Sequence, residues 1–358
     1  MNNSQFAMSE AIRAAYRRGE DDEAMEPICA VNGDGEPVGR IQNGDYVIFF
    51  DIRGEREIEL TESFTDPKFP HFPVKNDLRT HWATMIEYDP KLDVRVAFPP
   101  FSEIKNTLTE AVTSSGKKVC KISETEKAIH VTFFMNGKRQ KPFAGESHIG
   151  IESRKDIGSY DECPEMMAKE VADVTIERLH GNDDLIITNF ANIDVLGHIE
   201  NEAAILKAVN TVDTQVGRVL EQARRLGVTT LITSDHGTVE KWLYPEGAID
   251  TGHTNSPVHF IFVDPNSSSK VSLRSGGSLI DVAPTILQLM GIEKPKEMTG
   301  STLIHGNAPA AKRVLLLITD GWGHNDSEYG NLILKAETPV IDKLKATCSH
   351  VLVKASGE

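Results

Sequence analysis

The sequence predicts an α/β protein in which a mostly parallel sheet is sandwiched by helices, with a second, smaller α/β part. Short runs rich in Val, Ile and Leu alternate with longer stretches of helical periodicity, the pattern of strands buried on both faces and joined by crossover helices. Several of those runs end in polar clusters, where ligands sit in such folds. The length of 358 residues exceeds one ordinary domain and leaves room for two cores.

From Ser4 to Arg18, Phe6, Ile12 and Tyr16 fall near helical spacing and Gly19 supplies a stop, which predicts an amphipathic helix. After a loop rich in Gly, Asp and Asn, the apolar run from Tyr46 to Phe50 predicts a buried strand that delivers Asp51 to Arg56 at its carboxyl end. Pro99 and Pro100 mark a boundary. Beyond it the pattern predicts a helix from Glu103 to Ser114, strands Lys118–Ile122 and His130–Met135, a helix Pro164–His180 and a strand Asp184–Phe190. It continues with a helix Glu202–Leu226, strands Thr229–Thr233 and His259–Val263, and a helix Leu279–Met290. Ile304 to Ala311 reads as a linker, and Arg313 to Thr319 gives one of the strongest strand signals, ending in Asp320-Gly-Trp-Gly323.

A formal net charge of −15 argues against a nucleic-acid groove, which needs a surplus of Lys and Arg. The four cysteines, Cys29, Cys120, Cys163 and Cys348, stand far apart and suggest neither a zinc knuckle nor a disulfide framework, which fits a reducing compartment. No run approaches the ~18 apolar residues of a membrane span, and the first residues lack a signal-peptide core. The expectation is a cytoplasmic protein with no nucleic-acid or membrane partner.

Four polar clusters sit at predicted strand ends. Asp194 and His198 are four residues apart and can face one centre if the segment turns helically. Asp235 and His236 directly follow an apolar strand, where crowded charge is costly unless a cation meets it. His253 lies in a short polar loop, and Asp320 ends the 313–319 strand. Singly, each has a plain alternative: a solvated pair, a loop histidine, a helix N-cap. Together they bring three carboxylates and three imidazoles to one sheet. Mixed nitrogen and oxygen donors suit Mn, Zn, Fe or Co, and two ions roughly 3.5–4 Å apart would clamp a phosphoryl transfer. Arg53 and Arg56 flank a turn and match phosphate or carboxylate oxygens, or else form surface ion pairs with Glu55 or Glu57. Lys127 is either a phosphoryl-directed point charge or a solvated lysine.

Asp320-Gly-Trp-Gly323, Ser123-Glu-Thr-Glu-Lys-Ala-Ile-His-Val-Thr-Phe-Phe134, Asn189-Phe-Ala-Asn-Ile-Asp-Val-Leu-Gly-His198 and Ser234-Asp-His-Gly237 resemble the 2,3-bisphosphoglycerate-independent phosphoglycerate mutases of the alkaline phosphatase superfamily. Asp281-Val-Ala-Pro-Thr285 and Pro295-Lys-Glu-Met-Thr-Gly300 extend the resemblance over nearly the whole chain. It implies an alkaline-phosphatase-like α/β/α sandwich with a partial transferase domain. It implies two divalent ions, manganese first with Mg, Co or Zn as options, and no 2,3-bisphosphoglycerate. Asp194, His198 and His253 would hold one ion, and Asp320, Asp235 and His236 the other. Lys127 would act at the phosphoryl group, and Arg53 and Arg56 would bind phosphoglycerate, although the family's Phe-Arg-Ala-Asp-Arg reads Ile52-Arg-Gly-Glu-Arg56 here.

The family begins with the strand that leads into Asp-Gly-Trp-Gly, and here that strand comes last, so the chain resembles a circular permutant. In the family, Lys-Ala-Ser-Gly-Glu continues to a Gly-Asn-Ser-Glu motif whose serine is phosphorylated. The given sequence stops at Glu358, Ser356 belongs to the earlier stretch, and no nucleophile is expected in this chain. The implied organisation is a partial, substrate-binding transferase domain (1–95), a phosphatase-type metal-binding domain (96–303), a linker (304–312) and the permuted first strand-helix-strand segment (313–358). The expected function is interconversion of 2- and 3-phosphoglycerate in glycolysis and gluconeogenesis, with negligible turnover by this polypeptide by itself. A second chain supplying the serine segment is the expected partner, the protein being otherwise monomeric. Two alternatives stay open: a complementing or degenerate piece without catalysis, and a metal-dependent phosphomonoesterase.

Overall fold

Residues 7–22, 25–52, 57–75, 77–99, 104–265, 271–306 and 310–355 are described by the computed structural model, in which the chain forms two units, Met1–Ser102 and Glu103–Glu358. The first contains α1 (Ala7–Arg17), β1 (Tyr46–Phe49), α2 (Glu57–Thr65), β2 (His81–Ile86) and β3 (Arg95–Phe98). Its strands are parallel in the order β1-β2-β3, with Tyr46 opposite His81 and Ala83 opposite Arg95. One face is held by aromatic packing: Trp82 is buried, with Phe64 at 5.2 Å and Phe49 at 6.0 Å between ring centroids. Tyr46 and Ile48 fall on the opposite side of the pleat and are exposed.

The second unit runs α3 (Leu108–Ser114), β4 (Val119–Glu124), β5 (Glu146–Ile151), α4 (Ala168–Leu179), β6 (Leu185–Phe190), α5 (Asn192–Gly197), α6 (Glu202–Arg225) and β7 (Thr229–Thr233). It continues with β8 (Val258–Val263), β9 (Gly277–Ser278), α7 (Val282–Leu289), β10 (Val314–Thr319), α8 (Leu332–Lys335), α9 (Pro339–Thr347) and β11 (Ser349–Lys354). Among the described residues its eight strands form one sheet in the order β5-β4-β6-β10-β7-β8-β11-β9. Pairing is parallel except where β8 runs against β7 and β11. Because successive side chains alternate across a pleat, Leu315 and Leu317 of β10 join the core under α4, α6 and α9, while Val314, Leu316 and Ile318 join the core under α3 and α7. Burying each such leucine contributes about 1.5–3 kcal/mol. No helix among the described residues is long and apolar enough to cross a membrane.

The 24-residue α6 shows the helical logic. Asn201 accepts from Ala204 N, Arg224 and Arg225 fall in the last turn, and Ile205, Val209, Val212, Val216 and Leu220 make one buried stripe.

One expected strand is not a strand. His130–Phe134 forms a π-helical turn, with Met135 N donating to His130 O at 3.2 Å and Thr132 Oγ1 to Ala128 O at 2.6 Å. The β-branched and aromatic composition suits a strand by propensity, but β4 and β5 pair in parallel, so the chain between them must cross back along the sheet. In that crossover only Val131 of the five is buried. Ile304, at the start of the segment read as a linker, is buried and bridges to Leu273.

Candidate metal centre

One edge of the large sheet collects the polar residues. Asp320 follows β10, Asp194 lies in α5 just after β6, Asp235 and His236 follow β7, and Lys127 ends the 3₁₀ turn after β4. His253 precedes β8, whose antiparallel course brings its amino end to the same edge. Gly321 makes the approach possible: its φ is +82°, and a Cβ there would lie 2.8 Å from Asp194 N.

Asp320 is fully buried and held from several sides. Its N–H donates to Phe190 O at 3.2 Å, and Asn189 Nδ2 donates to its Oδ2 at 2.8 Å. Lys127 Nζ lies 3.2 Å from Asp320 Oδ1 and 2.6 Å from Asp194 Oδ2, so one ammonium spans both carboxylates. Burial by itself would lower the Lys127 pKa, but Asp320 and Asp194 outweigh it and hold the ammonium above its ordinary value. The two acids move apart. Burial, reinforced by Asp235, pushes Asp320 well above the usual carboxylate range. Asp194 resists burial and is held well below that range by His198, His253 and the Lys127 charge.

Imidazoles crowd the other oxygen of Asp194. Nε2 of His253, His236 and His198 stand 3.0, 3.4 and 3.5 Å from its Oδ1. That oxygen is nevertheless buried without a hydrogen bond of proper geometry. His198 Nδ1 lies 2.7 Å from Thr251 O, so in the neutral ring Nδ1 carries the proton and Nε2 the lone pair. His253 Nε2 is 3.3 Å from His198 Nε2, and the His253 ring stacks on His236 at 3.7 Å. Lone pairs facing one another and a carboxylate at this range repel unless a cation stands among them. A proton does this in part: the Asp194 carboxylate beside His198 raises that ring's pKa. A divalent ion would do it fully.

The donor atoms form two groups, Asp194 with His198 and His253, and Asp194 with His236 and Asp320. The residues present therefore fit two divalent ions that share Asp194. Asp235 stands at the rim: its Oδ1 accepts from His236 N at 3.0 Å and Gly321 N at 3.3 Å, and its Oδ2 is 3.5 Å from His236 Nε2. Five of the six metal-type residues singled out in the sequence supply these two groups, with Lys127 beside them; Asp235, expected as the third member with Asp320 and His236, is not in that group, and Asp194 takes its place. Arg53, Arg56 and Ser356 lie outside the described residues.

Two supports are not legible in sequence. Asn189 reads as an ordinary polar strand end, yet it fixes the Asp320 carboxylate. Glu240 is wholly buried and accepts from Thr238 N at 2.9 Å and from Thr254 Oγ1, bracing the segments that carry His236 and His253. Its only signal is an acid closely following Asp235-His-Gly237.

Known proteins similar to this chain are metalloenzymes and phosphoglycerate mutases. Similar relatives include the 2,3-bisphosphoglycerate-independent phosphoglycerate mutases of Methanococcoides burtonii, 43% identical over 82% of this chain and 57% of the relative, and of Syntrophotalea carbinolica, 43% identical over 82% and 56%. Among solved structures, Leishmania mexicana phosphoglycerate mutase at low cobalt concentration superposes with a TM-score of 0.71 and 26% identity, over 83% of this chain and 57% of that one. The chain spans somewhat over half the length of these proteins. The Metalloenzyme superfamily profile matches residues 1–294 and 312–358, and with its carboxylates and imidazoles gathered at one sheet edge the chain belongs to that superfamily.

Proposed function

We propose that this centre carries out metal-assisted phosphoryl transfer on phosphoglycerate, interconverting 2- and 3-phosphoglycerate in the cytoplasm, with manganese as the ion of first choice. The observation that carries the reading is the convergence of three imidazole nitrogens on the buried Oδ1 of Asp194, with Asp320 bridged to the same residue by Lys127. Mixed donors favour Mn, Fe, Co or Zn over Mg or Ca, and the similar proteins are named as phosphoglycerate mutases. When bound, two such ions supply the positive charge that stabilises attacking and leaving oxygens in phosphoryl transfer.

The chain's own residues do the rest. Asp194 and Asp320 orient the site, and the backbone carbonyl of Thr251 keeps Nε2 of His198 directed inward. Lys127, held charged, would meet phosphoryl oxygens from the sheet side, and Arg53 and Arg56 would grip the phosphoglycerate. Residues 96–303 and 313–358 would make one phosphatase-type domain joined by a linker at 304–312, and residues 1–95 part of a substrate-binding domain. The central position of β10 between β6 and β7 supports a permuted order of elements.

The test is phosphorus NMR of 3-phosphoglycerate with the manganese-loaded protein, by itself and mixed with a chain bearing a Gly-Asn-Ser-Glu segment. Appearance of 2-phosphoglycerate in either arm, lowered on the order of 10²–10³-fold by Asp320→Asn and abolished by chelator, supports the reading. Inorganic phosphate without 2-phosphoglycerate would instead mark a phosphomonoesterase. No phosphorus product in either arm overturns both.

A further inference from the structure

A separate group of imidazoles takes no part in the chemistry above. His259 lies on β8 and His350 on β11, and because Leu352 pairs with His259 and His350 with Ile261, the two histidines are diagonal neighbours on one face. Their ring centroids are 5.9 Å apart. His324, one residue beyond Asp320-Gly-Trp-Gly323, puts its ring 4.9 Å from that of His259. Its backbone is pinned there, since His324 N donates to Pro257 O at 2.9 Å and Gly323 bridges Val258. Asp326 adds a carboxylate oxygen 3.3 Å from His324 Nε2.

The chemistry of His259 is that of a ligand. Its Nδ1 is buried and has no hydrogen-bond partner, an arrangement that calls for an ion or a water. Burial, with His324, Lys345 and His350 adding to it against Asp342, lowers the His259 pKa to about 3. The ring is therefore neutral near pH 7, and no proton competes for its lone pair.

We propose that His259, His324 and His350 form a separate transition-metal site for one ion of the zinc, nickel or copper class, with Asp326 available as a carboxylate ligand. Imidazole donors suit these metals, and three protein ligands leave a position for water. Convergence of the donors needs rotation of the His350 ring, which stands exposed on β11. The bound ion would staple β8, β11 and the turn after Asp320 together. The site does not depend on what the Asp194 centre does.

The test uses the full chain, stripped with chelator and dialysed against buffered zinc, with bound metal counted by atomic absorption. The Asp194→Asn/Asp320→Asn variant should keep one zinc per chain and show a Tm that rises with zinc, since binding to the folded state stabilises it. Adding His324→Gln and His350→Gln should remove that zinc and the rise of Tm with zinc. If the first variant does not fold, the two histidine changes in the native background should read as one equivalent fewer. Equal zinc content with and without His324 and His350 overturns the proposal.

Discussion

Every residue of β4, β6, β7 and β10 is buried in the eight-stranded sheet, whereas β1, an equally apolar run in the three-stranded sheet, leaves Tyr46 78% and Ile48 71% exposed. Locally, β1 (Tyr-Val-Ile-Phe) and β10 (Val-Leu-Leu-Leu-Ile-Thr) differ little. What differs is the number of layers, since helices cover both faces of the large sheet. An apolar run therefore predicts a strand, but its burial is decided by what the rest of the chain stacks on it.

The contrast is sharpest at charges. Lys121 of β4 is buried with Glu146 of β5 at 3.0 Å, and Asn136 joins both. The partners respond differently. Burial outweighs Glu146 and lowers the Lys121 pKa, while at Glu146 His148, Lys121, Phe143 N and Asn136 together outweigh burial and keep the carboxylate below its usual range. The carboxylate is over-supplied with donors and the ammonium is not. Lys121→Met leaves Glu146 its hydrogen-bond donors but takes away its buried countercharge, and should cost about 3–5 kcal/mol in denaturant unfolding, with much recovered in Lys121→Met/Glu146→Leu. A loss below about 1 kcal/mol would show that water reaches the pair.

A second effect depends on pH. Glu124, buried at the end of β4, is raised by burial from an ordinary value of 4.5 to about 7. The folded protein then binds this proton more tightly than the unfolded chain. Its contribution is complete below about pH 4.5 and is lost as pH rises to about 7. Compared with Glu124→Gln, the native protein should lose up to about 3 kcal/mol between pH 4 and pH 8. Parallel stability curves for the two proteins would show that Glu124 titrates alike in the folded and unfolded chain.

The smallest effect belongs to β1. Ile48→Thr keeps a β-branched side chain at an exposed position and should change stability by no more than about 0.5 kcal/mol. A cost above about 1.5 kcal/mol would break the comparison, because it would mean that the outer face is covered in solution.

How much the sequence reveals follows the same division. The strands Leu185–Phe190, Thr229–Thr233 and Val314–Thr319 are legible as continuous apolar runs, and the acids and histidines after them stand out as candidate ligands because charge crowded at buried strand ends is costly without a cation. Glu146–Ile151 is not, since an edge strand with Glu, Ser and His carries no apolar run. His81–Ile86 and Arg95–Phe98 are equally hidden: both are short, and their pattern is diluted by half-exposed positions. His130–Phe134 is misread because topology overrides propensity there. Asn189 and Glu240 escape because their roles lie in second contacts, which no spacing rule reports.

The position of β10 has a consequence for synthesis. The strand pairs with β6 on one side and β7 on the other, and both precede it by many residues in the chain. A nascent polypeptide that has released β7 still has two unpaired parallel edges facing a gap one strand wide. Closing them waits for Val314–Thr319 to leave the ribosome, so the middle of the sheet closes late, only β11 between β8 and β9 following it, and Asp320 reaches Asp194 only as β10 enters.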